Sequence, residues 1–489
     1  MSKSKFLRIM SLILAVLMTV TMMSGCGEAE YEEIVSYIDV PAEDSDDVST
    51  DASSTDNTSD IVSSNVSGDS PSNVSGDSSS NNTANNSGSG QSTSGSVNPA
   101  DYKGTSIVYA VWDRAEGIDT DAVIAKFKQK YGISVEIKKV GQDNYIQSIT
   151  GLIASGNAPD VIKDCSEGPT FLTIAQPLQN AKIDLTDPIW DQNKIKKSTI
   201  NGKTYSISSL GPIFNYINVC FYNKKLLQQN GIKTPEDYQK SGQWNLNAVE
   251  KIARDTVALG SQYSGFYADK FGYFIPESLG YNFFTFDSGK FTLMNLSDAT
   301  FIKIAQKIST WENDGLRASA RERFNEGKCA LAFLSSYGAL KSGYWYNMKS
   351  NWKDIGIIDM PAFEDKSSVR TQEWNGFGIC EGAKNPIAAG LFLRYYLDCN
   401  NYDLENEFIS SEVLNFVLKR TSESYNGPLE VYSGVYSALG YSSRDKYYYE
   451  LMATDSAQIQ SLLKSLEPVL KNDVNNLNSY VDKQIKAKK

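Results

Sequence analysis

The apolar positions divide the chain into three stretches. A continuous apolar run, "LILAVLMTV" from Leu12 to Val20, comes first, behind Lys3, Lys5 and Arg8. From roughly Pro41 to Ala100 there is almost nothing apolar, only Ser, Asn, Asp, Thr and Gly. From about Gly104 the apolar residues return at structured spacings. "SIVYAV" (Ser106 to Val111) has the form of a short buried strand. "DTDAVIAKFKQKYG" places Val123, Ile124, Phe127 and Tyr131 on one helical stripe, with Asp119 or Thr120 as cap and Gly132 as stop. "SVEIKKV" (Ser134 to Val140) alternates as a second strand. "NYIQSITGLIASGN" predicts a helix with Ile146, Ile149, Leu152 and Ile153 inward, ending at Gly156, and "PDVI" (Pro159 to Ile162) a third strand. The succession βαβαβ predicts a parallel sheet with helices on both faces. A body running from there to Lys489 is too long for one core and natural for two lobes.

The first apolar run is too short and too poorly flanked for a comfortable membrane span. With its basic start and small residues Ser24 and Gly25 it reads as an export signal over residues 1–25. Its end, "MSGC" at Met23 to Cys26, resembles the lipobox of bacterial lipoproteins. Cleavage before Cys26 and acylation of its sulfur would hold the chain at a membrane, because several acyl chains on one residue bind firmly where one does not. The alternative is an ordinary signal peptide followed by a chance cysteine. Residues 26–103 then read as a tether that buries too little to offset its ordering entropy. "NVSGDS" occurs twice in it, at Asn65 to Ser70 and Asn73 to Ser78. About 60 such residues reach roughly 40 Å.

Charge changes the picture. The chain has 47 Lys+Arg and 58 Asp+Glu, a formal net of -11. No Lys or Arg lies between Ile9 and Tyr102, where 15 acids do; setting that stretch and the three leading bases aside leaves 44 bases against 43 acids. The acidity belongs to the tether and the body is close to neutral. A neutral body argues against nucleic acid as a partner, since phosphate binding needs a clustered basic surface. Histidine is absent, which removes His-based triads, His-ligated metals and the usual proton shuttle. Beyond Cys26 lie Cys165, Cys220, Cys329, Cys380 and Cys399, with no Cys-x-x-Cys pair. Neither a zinc site nor a disulfide framework is signalled, and no cofactor is. Buried thiols are the favoured reading; one bridge, for instance Cys380 to Cys399, stays open.

Several stretches resemble, in order, the extracellular solute-binding family that serves sugar ABC importers. They are "FKQKYGISVEI", "IASGNAPDVI", "INGKTYSI", "VCFYNKKLLQQNGIKTPEDY", "FNEGKCALAF", "IGIIDMPAF" and "GFGICEGAKNPIAAGLFLRYYLD". The resemblance covers nearly all of the body. It implies an α/β clam-shell of two lobes, each a mainly parallel sheet flanked by helices, with ligand in the cleft between them. Lobe 1 is expected at 104–214 and 362–404, lobe 2 at 215–361 and 405–489. "FYN" (Phe221 to Asn223) would lie just past the first crossing and "IIDMP" (Ile357 to Pro361) would form the second. The implied partners are a carbohydrate, ABC permease subunits, and the outer face of a bacterial (Gram-positive) membrane through the lipid anchor, with the protein a monomer and not an enzyme.

Ligands of open α/β sheets bind beyond the carboxyl ends of strands, and pockets favour domain junctions. After the first strand comes "WDR", with Trp112 and Asp113; after the third comes "KDCSEG", with Asp164 and Glu167. Carboxylates accept from neutral hydroxyls, and a flat indole covers the apolar face of a pyranose. Trp112 is either cleft or core, and Asp164 and Glu167 are either ligand contacts or a helix cap and first-turn acid. The resemblance nominates Tyr337, in the loop after "GKCALAF". Tyr216, Tyr267, Trp374 and Tyr436 complete the set, Trp374 with the reservation that it precedes a strand. Many aromatics with no basic cluster favour a neutral oligosaccharide. The competing class is a tethered glycoside hydrolase, whose separated carboxylates leave no sequence motif. There is no Gly-x-Ser-x-Gly, Walker loop or His-Glu-x-x-His. A sensing or adhesion module on the same fold is a third possibility.

Overall fold

The computed structural model describes residues 97–112, 120–141, 144–164, 168–214, 216–268, 271–341, 352–364, 366–369, 376–422 and 446–488. Strand β1 (Ser106–Trp112) leads to helix α1 (Thr120–Tyr131) and strand β2 (Ser134–Val140). The two strands pair in parallel from Ser106 opposite Ser134 to Trp112 opposite Val140. Helix α1 buries Val123 and Phe127 with Ile107, Tyr109 and Val111 of β1, and Ile124 and Tyr131 flank that contact half-buried. Each of the two buried side chains contributes about 1.5–3 kcal/mol. The helix stops at Gly132, whose φ of 68° suits glycine and whose N–H closes on the Lys128 carbonyl at 2.8 Å.

Helix α2 (Tyr145–Ala154) and strand β3 (Val161–Asp164) complete the expected βαβαβ, with β3 parallel to β1. The strand begins later than Pro159 for a local reason. Pro159 has no N–H to give a ladder, and Asp160 uses its carboxylate elsewhere. The Val108 N–H donates to Asp160 Oδ2 at 2.9 Å and the Asn385 N–H to Oδ1 at 2.8 Å. Strand β4 (Ala175–Gln176) lies at the far side of the same sheet.

The chain then passes to a second sheet. In order come β5 (Asn218–Asn223), α3 (Leu246–Val257), β6 (Ser264–Ala268), α4 (Phe271–Ser278), the hairpin β7 (Phe284–Asp287) and β8 (Lys290–Leu293), α5 (Ala299–Asn313), β9 (Cys329–Ser335) and β10 (Ile355–Asp359). Every residue of β5 and β9 is buried, as strands covered on both faces require. Helix α3 is capped by Asn245 and seats against β6 because Gly265 has no side chain; a Cβ there would lie 2.4 Å from that of Ala253. The chain returns to the first sheet as β11 (Gly376–Cys380). It continues through α6 (Pro386–Tyr396), α7 (Ser411–Ser422), α8 (Lys446–Ala453) and the 29-residue α9 (Ile459–Ala487).

The strand orders are β2-β1-β3-β11-β4 and β10-β5-β9-β6. Strand sense is more mixed than the expected mainly parallel sheets. β11 is antiparallel to β3 and β4, and β5 is antiparallel to β9 and β10. The cause is the crossing itself: a strand that enters a lobe from its neighbour runs against those formed by βα repeats. Two buried clusters, one on each side of the sheets, make the core.

Candidate functional site

In the first lobe, β1 and β3 stay paired only to Ala110 opposite Ile162. Beyond that point the Tyr145 hydroxyl inserts, donating to the Ala110 carbonyl at 3.0 Å and accepting from the Lys163 N–H at 3.1 Å. The strands therefore end apart, with Trp112 on one and Lys163 on the other. Lys163 Nζ lies 4.7 Å from the centre of the Trp112 ring and 5.9 Å from that of Phe377. Trp112 is half-buried and packs against the core, yet its buried Nε1–H has no hydrogen-bond partner. A buried donor left unsatisfied costs about 1–3 kcal/mol. Asp164 closes β3 opposite Gly376.

In the second lobe, the corresponding edge is where β6 and β9 end and β5 begins. Asn218 stands opposite Ser335, and Val219 opposite Asp359. Ser336 holds the incoming crossing in two ways. Its N–H donates to the Ile217 carbonyl at 2.7 Å, and its hydroxyl accepts from the Ile217 N–H at 3.0 Å. The neighbours of these two residues, Tyr216 and Tyr337, are thereby set side by side with ring centroids 5.3 Å apart and planes at 72°. Both are half-buried. Tyr267 is placed differently: only 8 % exposed, it packs within the core. Asp359, at this same edge, is paired with Arg420.

A polar cluster escaped sequence reasoning. Glu277 on α4 is 1 % exposed and accepts from Asn218 Nδ2 at 3.3 Å and Asn282 Nδ2 at 3.0 Å. Its one sequence signal is a carboxylate inside the otherwise apolar "YFIPESLGY". Lys163 opens the "KDCSEG" stretch, and its place over the Trp112 ring is set by strand pairing that the sequence does not show. Asp113, Glu167, Trp374, Tyr436 and Cys26 lie outside the described residues, as does the side chain of Asp164.

Cys220, Cys329, Cys380 and Cys399 are all free thiols, so the Cys380–Cys399 bridge is not formed. Burial disfavours each thiolate, pushing Cys399 up to about 12 and the other three higher. Among the described residues no three His, Cys, Asp or Glu side chains converge as a metal ion would need. No described helix is long and apolar enough to cross a membrane.

Two α/β lobes linked by crossing strands, with aromatic side chains where strands end, make the frame of a binding protein. Residues 114–398 match the family model for bacterial extracellular solute-binding proteins. The chain belongs to that family. No curated protein matches it by sequence. Among solved structures it is similar to the extracellular solute-binding protein of Staphylococcus aureus, solved with maltose. The TM-score is 0.55 at 15% identity, covering 76% of this chain and 97% of that one. It is also similar to the galacto-N-biose/lacto-N-biose I-binding protein of Bifidobacterium longum, solved with lacto-N-biose. There the TM-score is 0.57 at 12% identity, with 76% and 98% covered. For the substrate-binding protein of Listeria monocytogenes, solved with cycloalternan, the values are 0.52, 15%, 77% and 98%. At such identities the likeness is one of fold. As in those solute-binding proteins, nearly the whole of the partner chain is spanned, so both lobes take part in the match.

Proposed function

We propose that this solute-binding protein captures a neutral oligosaccharide between its lobes and delivers it to the permease subunits of an ABC importer. The Tyr216–Tyr337 pair carries the reading. Each ring keeps open surface at the strand-end edge of the second lobe. A tyrosine offers a sugar an apolar face together with a hydroxyl that donates and accepts. Trp112 offers the same kind of face from the first lobe, with an N–H that lacks an acceptor. The sugars bound by the three similar proteins, maltose, lacto-N-biose and cycloalternan, support the class of ligand. Of the remaining nominated residues, Asp113, Asp164, Glu167, Trp374 and Tyr436 are proposed contacts from the adjoining segments. Tyr267 is a proposed contact as well, the least exposed of the described aromatic set at 8 %.

The protein in this reading is a monomer held at the outer membrane face through acylated Cys26. Residues 1–25 are the signal and 26–103 the tether. Lobe 1 is 104–214 with 362–404, and lobe 2 is 215–361 with 405–489. Ligand is held and released unchanged. A thermal-shift screen over neutral and acidic oligosaccharides, followed by analysis of the recovered sugar, tests both points. A stabilising neutral sugar recovered intact supports the proposal; cleavage of that sugar would instead mark a hydrolase.

A further inference from the structure

Helix α9 and the hairpin β7–β8 join the lobes at a place remote from the aromatic edges. The helix lies over α5 and β8 of the second lobe, and its 29 residues span about 43 Å. Asn478 fastens it to the hairpin, accepting from the Phe291 N–H at 2.7 Å and donating to the Phe291 carbonyl at 3.0 Å. The far end reaches the first lobe. Lys488 Nζ donates to the Ala175 carbonyl at 2.6 Å and to Glu381 Oε2 at 2.9 Å, and its side chain is 17% exposed. Those partners sit beside Cys380, whose N–H donates to the Asp160 carbonyl at 3.1 Å, at the amino end of β3. That is the edge opposite Trp112. An open groove of about 660 Å³ borders the contact, while the last turns of the helix also pack on residues 168–173 of the first lobe, with Val481 fully buried and Ile485 half-buried in the same cluster as Phe171 and Leu172.

The hairpin makes a second contact. Ser288 and Gly289, at φ of 51° and 92°, form the turn between β7 and β8. Gly289 lies so near Ile200 of the first lobe that a Cβ would stand 3.0 Å from Ile200 Cγ2.

We propose that α9 and the β7–β8 hairpin form a clasp between the lobes, with Lys488 as its terminal tie, that restrains hinge rotation in the ligand-free protein. A rotation of one lobe against the other must slide the helix end across the first lobe, and the charge-assisted pair seated there opposes that motion. The clasp acts whatever solute the cleft holds.

The test needs no ligand. Dyes are placed through non-natural residues at Glu136 and Ser261, exposed positions of the first and second lobe, in the full chain. Single-molecule energy transfer then reads the spread of interlobe distances. Lys488→Met keeps the aliphatic stem and removes the charge; Lys488→Arg keeps the charge. The methionine variant should broaden the distribution and speed interconversion about tenfold or more, since both bonds from Nζ are lost, while the arginine variant stays near wild type. Hydrogen exchange in β1 and β9 should not change in either. An unchanged distribution in Lys488→Met overturns the clasp. So does faster exchange throughout both sheets, which would make Lys488 an ordinary stability contact.

Discussion

Tyr216 and Tyr337 meet near-perpendicular, ring centroids 5.3 Å apart, because the residues beside them are locked together. Ser336 binds both the N–H and the carbonyl of Ile217, so the loop leaving β9 and the crossing entering β5 share one geometry. In the proposed role, a solute resting on either ring would touch the crossing between the lobes, which would couple ligand contact to the interlobe angle.

Truncating Tyr337 to alanine should weaken sugar binding by about 2 kcal/mol, near thirtyfold, with little loss of melting temperature, since the ring is half-buried. Ser336→Ala should act indirectly. It removes the hydroxyl that the buried Ile217 N–H uses, costing about 1 kcal/mol of stability, and loosens Tyr216 against Tyr337. Calorimetric affinity and thermal unfolding of both variants separate the two effects. Equal affinity loss with no stability change in Ser336→Ala would break the link.

Trp112→Ala should likewise lower affinity about thirtyfold and leave the protein folded. Trp112→Phe distinguishes stacking from hydrogen bonding, because phenylalanine keeps an apolar face and loses the N–H that lacks a protein partner. If the ligand accepts from Nε1, the phenylalanine variant should recover only part of the affinity. Unchanged affinity with reduced stability in both would make Trp112 a core residue.

The first lobe was the more legible half of the chain. Periodicity marks β1, α1, β2 and α2 because each is a regular element with one buried face, and Ser134–Val140 is read to the residue. The late start of β3 was hidden, since it depends on where Asp160 sends its carboxylate. In the second lobe Tyr267 is expected at the site, yet it is 8 % exposed among rings that are core: Phe266, Phe274, Phe283 and Phe284 are all buried. Composition shows how many rings there are; only the sheet register shows which face they take. The same limit applied to Glu277 and Lys163, whose partners are distant in sequence. Nothing in the sequence pairs Tyr337 with Tyr216; Ser336, which binds both backbone groups of Ile217, sets them side by side.

The thiols of Cys220, Cys329, Cys380 and Cys399 should resist alkylation in the folded protein at neutral pH. Reaction needs the thiolate, and burial holds each pKa far above that range. Peptide-resolved labelling should show all four modified only after denaturation, with no Cys380–Cys399 cross-link under non-reducing conditions. Rapid labelling of Cys399, the least buried of them, would show that the α6 end opens more readily than the structure indicates.

Cys26→Ser should leave the precursor uncleaved or release the protein from the membrane fraction, because the acyl acceptor is lost. Deleting residues 44–96 should leave the unfolding temperature of the body unchanged. Retention of the serine variant in membranes contradicts the anchor, and a large drop in unfolding temperature contradicts the tether.

The most direct test of the proposed role is calorimetric titration of the wild-type protein with a panel of neutral and acidic oligosaccharides, paired with small-angle scattering of each mixture. One neutral oligosaccharide should bind at a single site, shrink the scattering radius as the lobes close, and be recovered intact. Tight binding of a charged solute alone, with no neutral sugar bound at millimolar concentration, would contradict the account.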